Sequence, residues 1–200
     1  MSKSTEMIMR KTKRGKSREQ TEDPQLILGI ERITHTKILG VHVDNRLCTD
    51  THVDMLITNS AQSLHALRLL RSHGLHTSLI YSIFKSTVLS RITYCSSAWR
   101  SFTTASSMNK LEAYLRKAIK LNYAPPSINT IDHIFNKIDN TYFKRVITDP
   151  THLLHPLLPP QKAQQRYTLR KRPHNFCLPI KHDTLFSANF IIRMLYAKNS

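Results

Sequence analysis

Residues 37–99 read KILGVHVDNRLCTDTHVDMLITNSAQSLHALRLLRSHGLHTSLIYSIFKSTVLSRITYCSSAW, and their patterning decides the fold. A short apolar strand, Ile38–Val43, ends in an Asp44-Asn45 turn, and two amphipathic helix patterns follow. In Thr51–Ser72, residues Val53, Leu56, Ile57, Leu64, Leu67 and Leu70 recur at helical spacing and form one apolar face. Asp50 or Thr51 can cap this helix, with Asp54 as the capping-box partner of Thr51. Arg68 and Arg71 suit the negative end of the dipole, and Gly74 supplies a left-handed residue beyond it. The second helix is capped by Thr77 and runs to about Trp99. Ile80, Phe84, Val88 and Ile92 step by four, and Ile83 and Cys95 widen that face. A break this short predicts antiparallel neighbours.

Upstream, Gln25–Ile33 and Lys37–Val43 are short runs rich in Ile, Val and Leu, with Thr34-His35-Thr36 between them. They read as a β-hairpin. Two strands are marginal in water, so the hairpin must pack on something else. Residues 1–23 are polar and charged, with a basic run from Lys11 to Arg18, and read as a disordered tail. Lys11, Lys13, Arg14, Lys16 and Arg18 also admit a nuclear-localisation reading; a solvated tail is the simpler one.

Downstream, a third helix is expected from about Ser106 to Tyr123, stopped by Pro125-Pro126. Met108, Leu111, Leu115 and Ile119 form its apolar face, and Lys110, Arg116, Lys117 and Lys120 the opposing arc. Ser127–Ile138 and Asn140–Thr148 read as two shorter helices ending at Asp149-Pro150. Residues 151–183 are Pro-rich and irregular, and Thr184–Tyr196 recovers a helix. The fold class is therefore mainly α: a helical bundle with a short N-terminal β-hairpin and an irregular basic C-terminal region ending in a helix. The expected divisions are a tail (1–23), the hairpin (24–46), the bundle (47–150) and the basic segment with its terminal helix (151–200).

Charge speaks to partners more than to fold. Thirty Lys and Arg stand against 13 Asp and Glu, a formal +17, and a potential of that sign collects polyanions. The tail, the middle and the C-terminal part are each net positive, so no single segment explains the excess. Lys162–Lys181 is the densest stretch, with six basic residues and no acidic one. There Lys162, Arg166, Arg170, Lys171 and Arg172 lie near Tyr167, His174 and Phe176. Basic residues interleaved with aromatics suit a backbone-plus-stacking contact with nucleic acid. The alternative is a basic surface loop with no partner. The candidate nucleic-acid-binding set is Lys110, Lys117, Lys120, Lys162, Arg166, Tyr167, Arg170, Lys171 and Arg172.

Other chemistries find little support. His152, His155, His174 and Cys177 make an H-x2-H…H-x2-C set with zinc-type ligands, but the spacing is not finger-like, and structural or solvated histidine is the preferred reading. The four Gly of the chain could hardly build a phosphate-cradling loop or a dinucleotide fingerprint. A two-metal phosphoryl-transfer site needs clustered carboxylates, and the acids here are mostly scattered singly. Tyr94 and Trp99 are expected in the core, with base stacking as the alternative. Cys48, Cys95 and Cys177 are far apart and odd in number, which points to reduced thiols in an intracellular protein, nuclear or cytoplasmic. No run approaches the roughly 18 apolar residues of a membrane span, so no membrane partner is expected. The N-terminus lacks the apolar region of a secretory signal, so a secreted protein is not expected.

Taken in order, these stretches resemble the C-terminal part of the reverse transcriptase encoded by non-LTR retrotransposons. The matching residues are Lys37-Ile38-Leu39-Gly40-Val41, His52, Ser90-Arg91-Ile92-Thr93-Tyr94-Cys95 and Trp99. They continue with Leu158-Pro159-Pro160, Arg166-Tyr167-Thr168-Leu169-Arg170, His174-Asn175 and Phe190–Tyr196. The match spans about residues 26–197. The family often carries an aromatic near Thr36 or Ile38 and a Trp near Cys48, which this chain lacks. The resemblance implies that residues 25–44 are the last hairpin of a polymerase palm and that the helices form a thumb. It also implies a template–primer duplex of RNA and DNA as ligand and docking to a palm. Fingers and the palm with its catalytic Asp residues have no counterpart in this sequence. The expectation is thus a fragment without catalytic residues and without a cofactor of its own, magnesium belonging to a complete polymerase. An inert or protein-interacting remnant is the alternative, as is a polymerase active only with separate fingers and palm.

Overall fold

The computed structural model describes residues 4–9, 24–162 and 174–197. The fold is mainly α. Two short strands, β1 (Thr5–Glu6) and β2 (Glu31–Arg32), pair in parallel. A hairpin follows, β3 (His35–Ile38) and β4 (Val41–Asp44). Helix α1 (Asp50–Ser72) comes next. Helix α2 (Thr77–Ile83) continues through a π-helical stretch, Phe84–Leu89, into α3 (Ser90–Thr93). Then come α4 (Ser96–Trp99), α5 (Ala105–Lys120) and α6 (Ile131–Thr148). The chain ends in two short helices, α7 (Thr184–Ala188) and α8 (Phe190–Tyr196). Among the described residues no helix is long and apolar enough to cross a membrane.

The hairpin differs from the sequence expectation in its turn. Leu39 and Gly40, not Thr34-His35-Thr36, sit at the bend, with φ of 47° and 91°. Two positive φ values are what a tight two-residue hairpin turn requires, and Gly40 takes its value without a Cβ penalty. Gln25–Ile30 is no strand. It turns at Gly29 (φ 81°), and Leu26, Ile27 and Leu28 are exposed. The tail is likewise shorter than expected, because Thr5–Glu6 is tied down. Arg32 Nε donates to Glu6 Oε1 at 2.7 Å and Ile33 N to Glu6 O at 2.8 Å. Residues 10–23 lie outside the described ones. The Asp44 turn holds: its Oδ1 accepts from Arg46 N and Cys48 N.

Thr49 stands at the start of α1 with no side-chain cap, and Asp50 turns to α5. His76, not Thr77, caps α2, its ring accepting from Ser78 N. The expected helix to Trp99 breaks at Tyr94-Cys95, where Cys95 is left-handed (φ 50°) and exposed. The break frees the Tyr94 carbonyl, which accepts the Trp99 indole N–H at 2.8 Å. Ser127–Thr148 holds one helix rather than two. No Gly or Pro interrupts Ile131–Thr148, and Asp139, expected in a break, is buried mid-helix. Thr184–Tyr196 splits at Asn189, whose side chain caps α8 through Ile191 N.

Two apolar cores result. In the first, Val53, Leu56, Leu64 and Leu67 of α1 meet Ile80, Phe84, Val88 and Ile92, then Trp99, Leu111, Leu115, Ile131 and Phe135. Leu70 is exposed instead. α1 and the α2–α3 helix are antiparallel: Arg91, late in the second, donates to Asn59 O and Ser63 Oγ of α1. In the second core Phe143, Phe176, Ile191, Met194 and Leu195 pack together. Helix α6 contributes to both.

Candidate nucleic-acid interface

Four contacts order α1 against α5. Thr104 N donates to Asp50 Oδ1 at 2.9 Å and Lys110 Nζ to Asp54 Oδ1 at 2.7 Å. Tyr114 Oη donates to Ser60 O at 2.8 Å and Arg71 Nη1 to Leu121 O at 2.7 Å. Numbers rise together along both helices, so the two run parallel. Asp50 anchors the start. Burial would raise its pKa, but hydrogen bonds from Thr104 and Ser107 hold it below the usual carboxylate range. The Tyr114 hydroxyl is pushed up by burial and stays a neutral donor.

A parallel pair brings both C-terminal ends to one end of the seam. On α1, His65 and Arg68 continue the stripe of Asp54, Thr58 and Ala61, the flank from which Asp54 reaches α5. On α5, Lys117 lies two turns beyond Lys110 on the flank turned to α1, with Lys120 beside it. All four are exposed. Together they form a basic strip over two helix C-termini, whose dipoles favour cations. Arg71 is spent on structure, since its guanidinium lies 4.5 Å from the Tyr123 ring centroid and bonds the Leu121 carbonyl.

The nine expected binding residues therefore separate. Lys117 and Lys120 lie on the strip. Lys110 is neutralised by Asp54 in an exposed pair, of the kind worth about 0–1 kcal/mol. Lys162 is half-buried in another part of the fold, where its N donates to Asn175 O at 2.9 Å beside the Gln161–Phe176 bridge. Arg166, Tyr167, Arg170, Lys171 and Arg172 lie outside the described residues. His65 and Arg68 were not anticipated. Their spacing was visible, but the parallel pairing that puts them beside Lys117 was not.

Five of the residues that carry the family resemblance, Leu39, Gly40, His52, Tyr94 and Trp99, lie at or near the hairpin. Tyr94 Oη donates to Leu39 O at 3.1 Å, and the Tyr94 ring passes Gly40 so closely that a Cβ there would stand 3.5 Å from Cε1. Tyr94 is 53% exposed, against the expected core position, because the break at Cys95 turns it out to the hairpin. Trp99 is buried as expected and meets the His52 ring edge-on at 5.1 Å. His42 of β4 stacks on His52 from the other side at 6.2 Å. Neither nitrogen of His52 has a partner among the described residues. Burial pushes its pKa down to about 4, and His42 and Lys37 add repulsion.

The His/Cys set is engaged with backbone. His152 Nδ1 accepts from Leu154 N, and His155 Nδ1 bonds Val146 O. His174 accepts from Phe176 N at Nδ1 and donates to Leu195 O at Nε2. Among the described residues no three His, Cys, Asp or Glu side chains come together to hold a metal ion. The three thiols are free. No family model, curated protein or solved structure matches this chain.

Proposed function

We infer that the chain is a duplex-binding piece of a retroelement reverse transcriptase, comprising the thumb-like bundle and the basic C-terminal region. It holds an RNA–DNA or RNA duplex by phosphate neutralisation and carries no base readout. The observation that carries this reading is the basic strip of His65, Arg68, Lys117 and Lys120 on the parallel α1–α5 seam, within a chain of formal charge +17. The contacts among Leu39, Gly40, Tyr94, His52 and Trp99 support the family, since the resemblance selects those residues from distant parts of the sequence. The proposed role is binding, because the resemblance covers only the thumb-like and C-terminal part of a polymerase. Purified chain supplied with magnesium, primer and template is expected to incorporate no nucleotide; templated incorporation would overturn that.

The binding test is salt-titrated affinity for an RNA–DNA duplex. Replacing Arg166, Arg170, Lys171 and Arg172 with Ala weakens binding similarly across sequences and lowers the log–log salt slope, by about 0.9 units per lost phosphate contact on the B-DNA scale. The same four-charge removal at Lys11, Lys13, Arg14 and Lys16 has less effect. Equal losses in both variants mean diffuse polycation behaviour.

A second reading rests on the exposed apolar residues ahead of α1: Leu26, Ile27, Leu28, Ile38 and Leu39. Leu28 is fully exposed at 102%. Apolar exposure of this kind marks protein docking surfaces. A separate palm and fingers is the partner the family suggests, and a polymerase assembled from two chains is the function. Co-expression with such a palm, assayed by co-purification, tests it; a palm that does not co-purify rejects it.

A further inference from the structure

His52 of α1 departs from the rule that buried polar groups have partners. It is 4% exposed, and neither ring nitrogen meets a partner among the described residues. An apolar side chain would fill the same place without stranding an N–H, so the histidine weakens the contact in which it sits. Departures of this kind concentrate at functional or strained sites.

That contact is the seam between the hairpin and the helices. On the helical side the His52 ring meets the uncharged Trp99 ring edge-on at 5.1 Å. On the hairpin side it faces His42 of β4 at 6.2 Å, and Lys37 of β3, in register with His42, adds a second basic group. The carboxylates nearest in sequence are engaged elsewhere. Asp44 accepts from Arg46 N and Cys48 N, Asp50 accepts from Thr104 N, and Asp54 is paired with Lys110. A proton on His52 is therefore opposed by burial and by two basic groups, both carried by the hairpin. Moving the hairpin away hydrates the ring and removes the repulsion in one step.

The hairpin is built to move as a unit. β3 and β4 pair with each other from His35–Asp44 to Ile38–Val41, a ladder in which the helices take no part. It is tied to the bundle by the apolar side chains of Val41 and Val43 and by the hydrogen bond from Tyr94 Oη to Leu39 O. The connection to α1 is residues 45–49, a turn with Leu47 left-handed at φ 59°.

We propose that the hairpin is a proton-operated flap: a proton on His52 swings β3 and β4 off the bundle while the helices stay packed. The proton is taken up in the open state, where a hydrated imidazole titrates in its ordinary range, and closing expels it. The closed state is thus fully favoured above about pH 6.5, and the open state gains on it as pH falls. Opening uncovers His52, the facing edge of Trp99 and the seat of Val41. The flap does not depend on the role given to the α1–α5 strip.

The test is native-state hydrogen exchange of the full chain by NMR between pH 6.5 and 4, each rate divided by its intrinsic value and followed in low concentrations of urea. The β3 and β4 amides are expected to exchange through an opening that urea barely promotes, because it exposes little surface. Its equilibrium constant is expected to rise by up to about tenfold per pH unit, or about 300-fold over the range in which His52 is held neutral. The amides of α1 and α5 are expected to need a rarer opening at every pH, one that urea promotes strongly. His52→Phe keeps a ring against Trp99, and its hairpin opening is expected to ignore pH. The wild-type rates decide without any variant. A hairpin that shares one opening constant and one urea dependence with α1 and α5, or whose opening does not change with pH, overturns the proposal. So does a pH dependence that survives in His52→Phe, which would place the proton on another group.

Discussion

The two cores are built by different means. The first is made of long helices whose buried residues recur at helical spacing, and its largest side chains, Trp99, Phe84 and Phe135, are fully buried, with Trp99 edge-on to both His52 and Phe135. The second is made of short pieces between Phe143 and Tyr196 that could not hold their conformations by helix formation alone. Polar side chains staple them instead. His155 bonds the Val146 carbonyl, His174 bonds Leu195, and Tyr196 Oη donates to Pro179 O at 2.6 Å. The Arg100–Asp139–Arg193 group then fastens α8 to α6 and to the turn after α4. Regular apolar spacing makes a core that tolerates substitution by volume. A stapled core depends on single polar atoms.

The largest test of that contrast is Asp139→Ala. Removing one partner of a buried ion pair leaves uncompensated charge, here two guanidinium groups, and costs about 3–5 kcal/mol. Burial already pulls the Arg193 pKa down, Asp139 restores it and Arg100 lowers it again, so the loss falls hardest on Arg193. Hydrogen exchange is expected to show α8 losing protection while α1 keeps it. Equal loss in both would mean that the two cores open as one.

The next test acts on the first core. His52 titrates near 4 in the fold and near 6.5 in the unfolded chain. The unfolded state therefore binds the proton more readily. The stability that depends on neutral His52 is complete above about pH 6.5 and is lost as pH falls through 4. On the order of 3 kcal/mol is at stake, at about 1.36 kcal/mol per pH unit of difference. His52→Leu should flatten the stability curve between pH 6.5 and 4; an unchanged curve would show that His52 is hydrated in the fold.

A smaller effect belongs to the second core again. His174→Ala removes the acceptor of Phe176 N and the donor to Leu195 O, and the stranded buried backbone groups cost about 1–3 kcal/mol. The decline should appear as faster exchange at Phe176 and the residues around Leu195. Smallest is Gly40→Ala. There is room for a methyl group beside Tyr94, so the cost of about 1 kcal/mol comes from the positive φ, and thermal melting reads it.

The same contrast decides what was legible in the sequence. The step of four from Ile80 to Ile92 names four buried residues, and all four are in the first core. Gly74 stands beyond α1 at φ 85°, as its position suggested. The hairpin turn was misplaced because Leu39-Gly40 lies inside an apolar run that looks like uninterrupted strand. The continuity of α6 was hidden because Asp139-Asn140 resembles a break, and only the arrival of Arg100 and Arg193 from distant sequence makes an Asp tolerable there. Half of the strip was visible as the basic arc of α5. The other half needed the parallel pairing of α1 with α5, which rests on contacts some fifty residues apart in sequence.

The proposed local grip on phosphates along that seam is tested most directly by the salt dependence of duplex binding. Arg68→Ala/Lys117→Ala/Lys120→Ala is compared with Lys85→Ala/Lys137→Ala/Lys144→Ala, which removes the same charge from exposed positions off the strip. The log–log slope for an RNA–DNA duplex is expected to fall by up to about 2.7 in the first variant and little in the second. Equal falls in the two would contradict a site on the α1–α5 seam and leave only the attraction of a polycation for a polyanion.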